Sequence, residues 1–171
     1  RYNNTTKVGD KELITNTEIY SHQHVNREAI IIATPSSRQT EYQVGDIVIV
    51  HHNLFRRWQD IRGDEQNSRG YFKEGQYFCK EDQMFLYKRK NEWIAPKGCC
   101  FVKPIKSVGK FETEKERPLI GVIKYVDKEL GKVGIQKGDL VGFTPWSEYE
   151  FVIDGERMYR VYTNDISIKY E

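Results

Sequence analysis

Four histidines and one cysteine before residue 80 are of the types that bind zinc. They are His22, His24, His51, His52 and Cys79. Zinc sites need ligands that converge at fixed distances, commonly through short pairings such as Cys-x2-Cys, and the sequence contains no such pairing. On a strand, the His22-x-His24 spacing would place both imidazoles on one face. We expect strand-end histidines that face solvent, with no metal and no other cofactor.

The two adjacent histidines, His51 and His52, follow a sequence motif that occurs twice in the chain. Residues 41–52 read EYQVGDIVIVHH, and residues 135–146 read IQKGDLVGFTPW, with the same Gly-Asp turn and apolar run but no histidine. Asp46 and Asp139 each follow a glycine, which can supply the unusual backbone angle of a turn that begins a strand. Because the motif recurs without the histidines, a structural role for the motif is favoured over a metal site.

The similarity extends on both sides of this turn. Upstream, residues 27–36 (REAIIIATPS) align with residues 117–126 (RPLIGVIKYV). Downstream, residues 77–88 align with residues 159–170, each with an acid or amide pair before a final alternating strand. The two halves of the chain therefore share an order of elements.

Short apolar segments dominate the rest of the sequence. They are rich in Val, Ile, Tyr and Phe and are bounded by Gly, Asp, Asn or Pro, which is typical of strands joined by turns. No helical period separates them, so the sequence predicts an all-β fold. The predicted strands are 12–20, 28–35, 46–52, 75–79, 83–89, 98–105, 119–126, 139–145, 149–154, 157–163 and 166–171.

The repeat predicts two small β-barrels in tandem. The first covers residues 1–94 and the second residues 95–171, with the boundary in the Pro- and Gly-containing stretch 91–98. We expect the polar residues at about 56–74 to form a surface insertion in the first barrel. That barrel lacks its N-terminal strand here if the strand precedes Arg1. A single larger β-sandwich is the alternative.

The composition restricts the class of protein. Hydrophobic residues at 38% and charged residues at 30% are typical of a soluble globular chain. The net charge of +2 gives no field for sequence-independent nucleic-acid binding. No apolar stretch is long enough to span a membrane, and three cysteines make a poor disulfide framework. We expect a cytoplasmic protein.

The sequence lacks the common catalytic motifs. It contains no Gly-x-Gly-x-x-Gly, no Gly-x-Ser-x-Gly and no Walker lysine loop. The paired carboxylates Glu114 and Glu116 lie in a charge run, which is typical of a solvated loop. We expect no enzymatic activity.

One aromatic and basic stretch is a candidate contact loop. It contains Phe55, Arg56, Arg57 and Trp58, which could stack on and neutralise a nucleic-acid strand. Acidic residues follow closely, at positions 60, 64 and 65, so a protein contact is favoured over nucleic acid.

The C-terminal half resembles the GroES-type co-chaperonins over its whole length. The resemblance rests on KGDLV at 137–141, DGE at 154–156 and DI at 165–166, and VGDIVIV at 44–50 carries it more loosely into the first half. It implies that each domain is a small Greek-key-like β-barrel, and that the protein forms a ring and caps a chaperonin without catalysis. Chloroplast members of the family have two such domains in tandem.

That role requires a mobile loop that offers apolar side chains to a groove on the partner. The matching stretch of the second half, 106–118, is polar, and only Val108 and Phe111 are candidates. In the first half, Glu12, Leu13 and Ile14 form a better tripeptide. The alternative is that Leu13 and Ile14 simply belong to a strand.

Three functions are consistent with these residues. The first is a co-chaperonin-like protein that forms a homo-oligomeric ring and caps or modulates a chaperonin. The second is a bacteriophage or cellular structural protein that uses the same barrel only for assembly and contacts its partner through the loop at 55–58, in the host cytoplasm or the virion. The third is single-strand nucleic-acid binding, with an affinity that falls steeply as salt is added.

Overall fold

The computed structural model describes residues 5–14, 27–106 and 116–171. Within these residues the regular secondary structure is mainly antiparallel β-strand, with one short α-helix, which confirms the predicted all-β class. No helix in the three described stretches is long and apolar enough to cross a membrane.

The residues before position 95 form three separate hairpins and one four-stranded sheet. The hairpins pair β1 with β2, β5 with β6 and β7 with β8, and the sheet has the order β10-β9-β4-β3. The strands are β1 (Thr5–Val8), β2 (Lys11–Ile14), β3 (Glu28–Ile30), β4 (Ile47–Val50), β5 (Arg57–Gln59), β6 (Glu65–Asn67), β7 (Tyr71–Lys73), β8 (Gln76–Tyr77), β9 (Met84–Arg89) and β10 (Glu92–Ile94).

The residues after position 98 form a six-stranded sheet. Its order is β14-β15-β11-β12-β13-β16, and a short helix, α1, follows β12. The strand pairing gives two open sheets that divide between β10 and β11, so the tandem barrels stay a prediction. The elements are β11 (Cys99–Lys106), β12 (Glu116–Tyr125), α1 (Lys128–Lys132), β13 (Leu140–Phe143), β14 (Tyr149–Ile153), β15 (Glu156–Tyr162) and β16 (Ile166–Lys169).

The two Gly-Asp turns have the same geometry. Gly45 and Gly138 adopt positive φ angles of 94° and 97°, which glycine tolerates and other residues rarely do. The N–H of Gly45 donates to Ile31 O at 2.8 Å, and that of Gly138 donates to Ile123 O at 2.9 Å. Each turn is thereby bonded to the end of the strand that precedes it.

The aspartate of each turn closes it and fastens a third strand. Asp46 accepts the N–H of the glutamine three residues earlier at 2.8 Å, and Asp139 does the same at 2.7 Å. Asp46 also pairs with Arg89 of β9 at 2.6 Å, and Asp139 pairs with Lys169 of β16 at 2.7 Å. The repeat seen in the sequence is therefore a repeat of backbone geometry.

The predicted upstream alignment is wrong by two residues. It paired Ile31 with Gly121, whereas Ile31 and Ile123 make equivalent bonds to the two turns. The charged residues that set that alignment, Arg27 and Arg117, do not occupy equivalent positions. The downstream alignment agrees with the structure, because the 3-10 turn Glu81–Gln83 leads into β9 and the 3-10 turn Thr163–Asp165 leads into β16. These two strands are paired in the predicted alignment.

A buried apolar cluster joins the two sheets. The ring centroid of Phe151 lies 5.9 Å from that of Phe85 and 5.8 Å from that of Phe101. Adjacent Cys99 and Cys100 lie in different clusters, as expected for successive residues of a strand. The cluster comprises Ile49, Phe85, Leu86, Ala95, Cys99, Phe101, Phe151, Ile153 and Met158, so both sheets contribute to one core.

The sequence did not predict α1, which depends on a buried aspartate. Asp127 caps the helix by accepting the N–H of Leu130 at 2.9 Å. Its other oxygen accepts from Gly98 N–H at 2.8 Å and from the Thr163 hydroxyl at 3.0 Å. One carboxylate thus ties the helix to the start of β11 and the end of β15.

We predict that Asp46→Asn lowers the free energy of unfolding more than Asp139→Asn does. The Asp46 side chain is only 4% exposed and that of Asp139 is 24% exposed, and hydrogen bonds to a charged group contribute about 1.5–3 kcal/mol each when solvent is excluded. Denaturant unfolding at pH 7 measures the difference. Equal losses from both variants would contradict the role given to burial.

The same pair predicts a pH dependence. The hydrogen bond and charge of Arg89 hold the pKa of Asp46 below its ordinary value of 3.8. The stabilisation is therefore complete above that value and is lost as the pH falls through the lower pKa of the folded state. The difference in free energy of unfolding between the wild type and Asp46→Asn should therefore decrease as the pH falls below the ordinary value of 3.8.

We also predict that Gly121→Ala destabilises the protein by about 2 kcal/mol, the usual cost of overpacking. A Cβ at Gly121 would lie 2.8 Å from the backbone oxygen of Lys103, which cannot move independently of β11. Gly131→Ala is the control, because a Cβ there has no other atom within 4 Å. Thermal or denaturant unfolding of both variants tests this, and a neutral Gly121→Ala would contradict the close approach of the strands.

Candidate partner-binding site

The predicted partner tripeptide lies in an isolated hairpin. Glu12, Leu13 and Ile14 belong to β2, which pairs with β1 and with no other strand of the described residues. Gly9, with a φ of 62°, forms the turn. The tripeptide therefore belongs to a strand, and its role in partner binding stays a prediction.

Apolar side chains are exposed on one face of this hairpin. Val8 is 58% exposed and Leu13 is 51% exposed. Val8 pairs with Lys11, two residues before Leu13, so Val8 and Leu13 are diagonal neighbours on one face. The side chains of Glu12 and Ile14 lie outside the described part of the structure.

Two other groups of candidate residues cannot be placed. Val108 and Phe111 lie between β11 and β12, outside the described residues. His22 and His24 also lie outside them. Their predicted roles therefore stay predictions.

The candidate contact loop is divided between core and surface. Phe55 is 7% exposed, and its ring packs edge-on against Tyr77 at 4.9 Å, so Phe55 belongs to the core. Arg56 and Trp58 are exposed, and Arg57 pairs with Glu65 at 2.6 Å. The predicted insertion that contains them forms the two hairpins β5–β6 and β7–β8. A contact here would use Arg56 and Trp58 rather than Phe55.

The adjacent histidines hold the two sheets together. His51 Nδ1 accepts the N–H of Asn53 at 3.1 Å and so caps the 3-10 turn at His52–Leu54. His52 Nδ1 hydrogen-bonds the hydroxyl of Tyr149 in the C-terminal sheet, and their rings are stacked. These roles are structural, and the rings lie between the sheets rather than in solvent as the sequence suggested.

Two arginines surround these rings. Arg160 is buried, and its guanidinium carbon lies 4.0 Å from the ring centroid of Tyr162 and 4.8 Å from that of Phe85. Its Nε and Nη1 have no hydrogen-bond partner among the described residues, so aromatic faces compensate part of its charge. Burial lowers the pKa of His51, and the charges of Arg160 and Arg27 lower it further.

The described residues offer little reactive chemistry. They contain no group of three or more His, Cys, Asp or Glu side chains that could hold a metal ion. All three cysteines are free, and burial raises the pKa of Cys79 to about 12 and that of Cys99 to about 11. Both thiols therefore stay protonated at neutral pH. Because the thiolate is the nucleophilic form of cysteine, neither thiol is activated as a nucleophile.

No family model matches the chain, and no curated protein matches it either.

The sequence reasoning missed one exposed residue of interest. Trp146 is 97% exposed and has a φ of 65°, in a turn between β13 and β14. The Pro145-Trp146 dipeptide was the available signal, but the predicted strand 139–145 ended at Pro145 and gave Trp146 no role. Tyr149 and Arg160 were missed because their roles arise only from the packing of one sheet on the other.

We predict that stability decreases as the pH falls below about 6.5 and that His51→Asn weakens this dependence. The pKa of folded His51 is lowered from the ordinary value of 6.5, so the unfolded chain takes up the proton first and protonation favours unfolding. Asparagine can accept the same N–H without titrating. The test is to measure the free energy of unfolding of the wild type and of His51→Asn between pH 5.5 and 7.5. This range covers about one pH unit on either side of an ordinary histidine pKa. Parallel curves would contradict it.

Proposed function

We propose that this protein is a co-chaperonin-like oligomer that contacts a chaperonin through the β1–β2 hairpin. The observation that carries the proposal is the isolation of this hairpin together with its exposed Val8 and Leu13. The resemblance of residues 95–171 to GroES-type co-chaperonins supplies the class of partner.

A hairpin that pairs with no third strand of the described residues suits such a role. An isolated two-stranded hairpin is marginally stable in water. The conformational entropy lost when it orders is offset only when a partner buries its apolar side chains. Exposed Val and Leu side chains are the groups that a hydrophobic groove would bury, at about 25 cal/mol per Å² of apolar surface. The hairpin can therefore couple its own ordering to binding.

The repeated Gly-Asp unit supports the tandem organisation. Each copy contains the same three strands, the same turn and an acid-base pair to the last strand. β16 lies at the edge of its sheet and pairs only with β13 among the described residues, so its other side could pair between subunits of a ring.

A structural or assembly protein is the second candidate. The insertion hairpins favour it, because Trp58 and Ile61 are exposed there, and neither is needed by the core. Such a protein would assemble in the same way but would not bind a chaperonin.

We predict that Leu13→Asp weakens binding to a chaperonin in the presence of ATP by about tenfold or more, the effect of losing roughly 1.4 kcal/mol. A carboxylate at this position would have to be desolvated in the groove. The measurement is size-exclusion chromatography with light scattering, first on the protein alone and then with chaperonin and ATP. Val133→Asp is the matched control, because Val133 is exposed elsewhere on the surface.

The outcomes separate the two functions. Ring formation with chaperonin binding that only Leu13→Asp weakens supports the co-chaperonin. Unchanged binding of Leu13→Asp would remove the hairpin from the contact. Assembly of the wild type without any chaperonin binding would favour the structural protein.

A further inference from the structure

The two insertion hairpins border a pocket of about 460 Å³, a volume within the usual range of small-molecule sites. Its lining combines two arginines, Arg56 and Arg69, with the indole of Trp58 and the amides of Asn53 and Gln83. No acidic side chain is among the described residues that line it. The pocket is therefore concave and positively charged, and it also contains a ring face and hydrogen-bonding groups.

Both arginines are available to bind an anion. Neither Arg56 nor Arg69 has an ion-pair or hydrogen-bond partner among the described residues, and both side chains are exposed. The acids at 60, 64 and 65, which follow closely in the sequence, do not line the pocket. Glu65 pairs with Arg57 at 2.6 Å, and the carboxylate of Asp60 accepts hydrogen bonds at 2.9–3.0 Å from groups of its own hairpin. Glu65 and Asp60 therefore do not neutralise the arginines of the pocket.

Backbone contacts hold the walls of the pocket together. The hydroxyl of Ser68 donates to Leu54 O at 2.6 Å, which joins the turn before β7 to the turn before β5. At Gly70 a Cβ would lie 2.6 Å from Phe78 O, so no side chain fits between these segments. The two arginines thus project from backbone that is already in place, which lowers the entropic cost of binding a ligand.

Two side chains of the β5 wall face the same way. Arg56 and Trp58 are two residues apart at the start of β5, where alternate side chains lie on one face, and Arg57 between them points away to Glu65. Trp58 is 36% exposed, so part of its ring is accessible in the pocket. An indole stacks on other planar rings, and aromatic side chains hold nucleobases in this way. The wall therefore offers a stacking surface beside a cation.

The charge of the pocket fits a phosphate monoester. Such a group carries about −1.5 to −2 charges at neutral pH and has three acceptor oxygens. Guanidinium groups bind these oxygens two at a time. A single carboxylate, such as that of Glu18, Glu112 or Glu114 outside the described residues, carries one charge and has two oxygens. The pair of arginines therefore favours a phosphate over a carboxylate of this chain.

The two amides can recognise the group that is attached to the phosphate. Gln83 Oε1 accepts the N–H of Lys80 at 3.2 Å, which leaves its amino group to donate. The side chain of Asn53 is exposed and has no partner among the described residues. Such amides donate and accept, as the edges of nucleobases do. Together with Trp58 they suit a planar heterocycle.

We propose that this pocket binds a nucleoside monophosphate, either free or as the phosphorylated end of a single strand. The two arginines bind the phosphate, the base stacks on Trp58, and Asn53 and Gln83 hydrogen-bond to the edge of the base. An internal phosphodiester carries one charge, so the site prefers a terminal phosphate to the backbone of a strand. This binding does not involve the β1–β2 hairpin and does not depend on the function proposed above.

The test is isothermal titration calorimetry of the full chain with deoxyadenosine monophosphate (dAMP). We expect deoxyadenosine and inorganic phosphate each to bind about tenfold or more weakly than dAMP, a difference of roughly 1.4 kcal/mol. A short oligodeoxyadenylate, with and without a terminal phosphate, separates the two sources of the ligand. If the phosphorylated strand competes with dAMP and binds more tightly, the ligand is a strand end. If it binds no more tightly, the ligand is the free nucleotide, and either result supports the proposal.

Matched substitutions assign the contacts. We expect Arg56→Gln and Arg69→Gln each to weaken dAMP binding about tenfold or more. Arg62→Gln is the control, because Arg62 is exposed on the β5–β6 hairpin but does not line the pocket. Trp58→Leu should weaken the binding of dAMP and leave that of inorganic phosphate unchanged. Thermal unfolding of each variant establishes that it is folded.

Four results would overturn the proposal. They are no binding of dAMP to the wild type, an equal loss of binding in Arg62→Gln, inorganic phosphate that binds as tightly as dAMP, and an unphosphorylated strand that binds as tightly as the phosphorylated one. The first result includes the case in which the chain's own residues occupy the pocket. The second and fourth would indicate general charge attraction, and the third would indicate an adventitious ion only.

Discussion

The Gly-Asp turn fixes the position of three strands in each unit. Its glycine adopts a positive φ and bonds to the end of the preceding strand, while its aspartate closes the turn and pairs with a cation on the last strand. The middle strand begins at the aspartate. Consequently β3, β4 and β9 have the same pairing as β12, β13 and β16, including a register shift near the end of the middle strand. A local motif of a few residues thereby sets a register that involves residues far apart in the chain.

Contacts of the β14–β15 hairpin fix the orientation of the N-terminal sheet relative to the C-terminal sheet. Apolar packing is not directional, so the shared cluster alone would allow the sheets to slide. Polar contacts along the hairpin remove that freedom. Tyr149 bonds to His52, Arg27 donates to Glu150 O at 2.6 Å, and Asp154 accepts from Trp93 Nε1 at 2.7 Å. The histidines that first suggested a metal site are part of this orientation.

The sequence predicted the elements that local rules determine. Short apolar segments located every strand of both large sheets except β10. The Asp154-Gly155 pair is typical of a primed turn, and both residues have positive φ. The turn between β9 and β10 has the same angles at Lys90 and Asn91, but it was missed because this pair lacks the glycine that signals such a turn. At five residues, α1 is too short to show a helical period.

The elements of the candidate sites were harder to predict because they depend on packing. Phe55 looked like a surface aromatic because arginines follow it, yet its ring packs against Tyr77 of the insertion. Leu13 was selected by its apolar type, and its side chain is 51% exposed. Its exposure, however, follows from the absence of a third strand beside the hairpin among the described residues, which no local pattern reveals.

The edge of β3 differs from edges that proteins leave open. Permanently open edges are usually blunted by lysine, proline or a bulge, because an uncovered row of backbone groups invites pairing with other chains. Ile30 and Ile32 flank this edge instead, and they are exposed beside an apolar cavity. In the C-terminal unit the corresponding edge is covered by β11, whose first four side chains are buried. Among the described residues, the repeated strands therefore have this additional neighbour in one copy and lack it in the other.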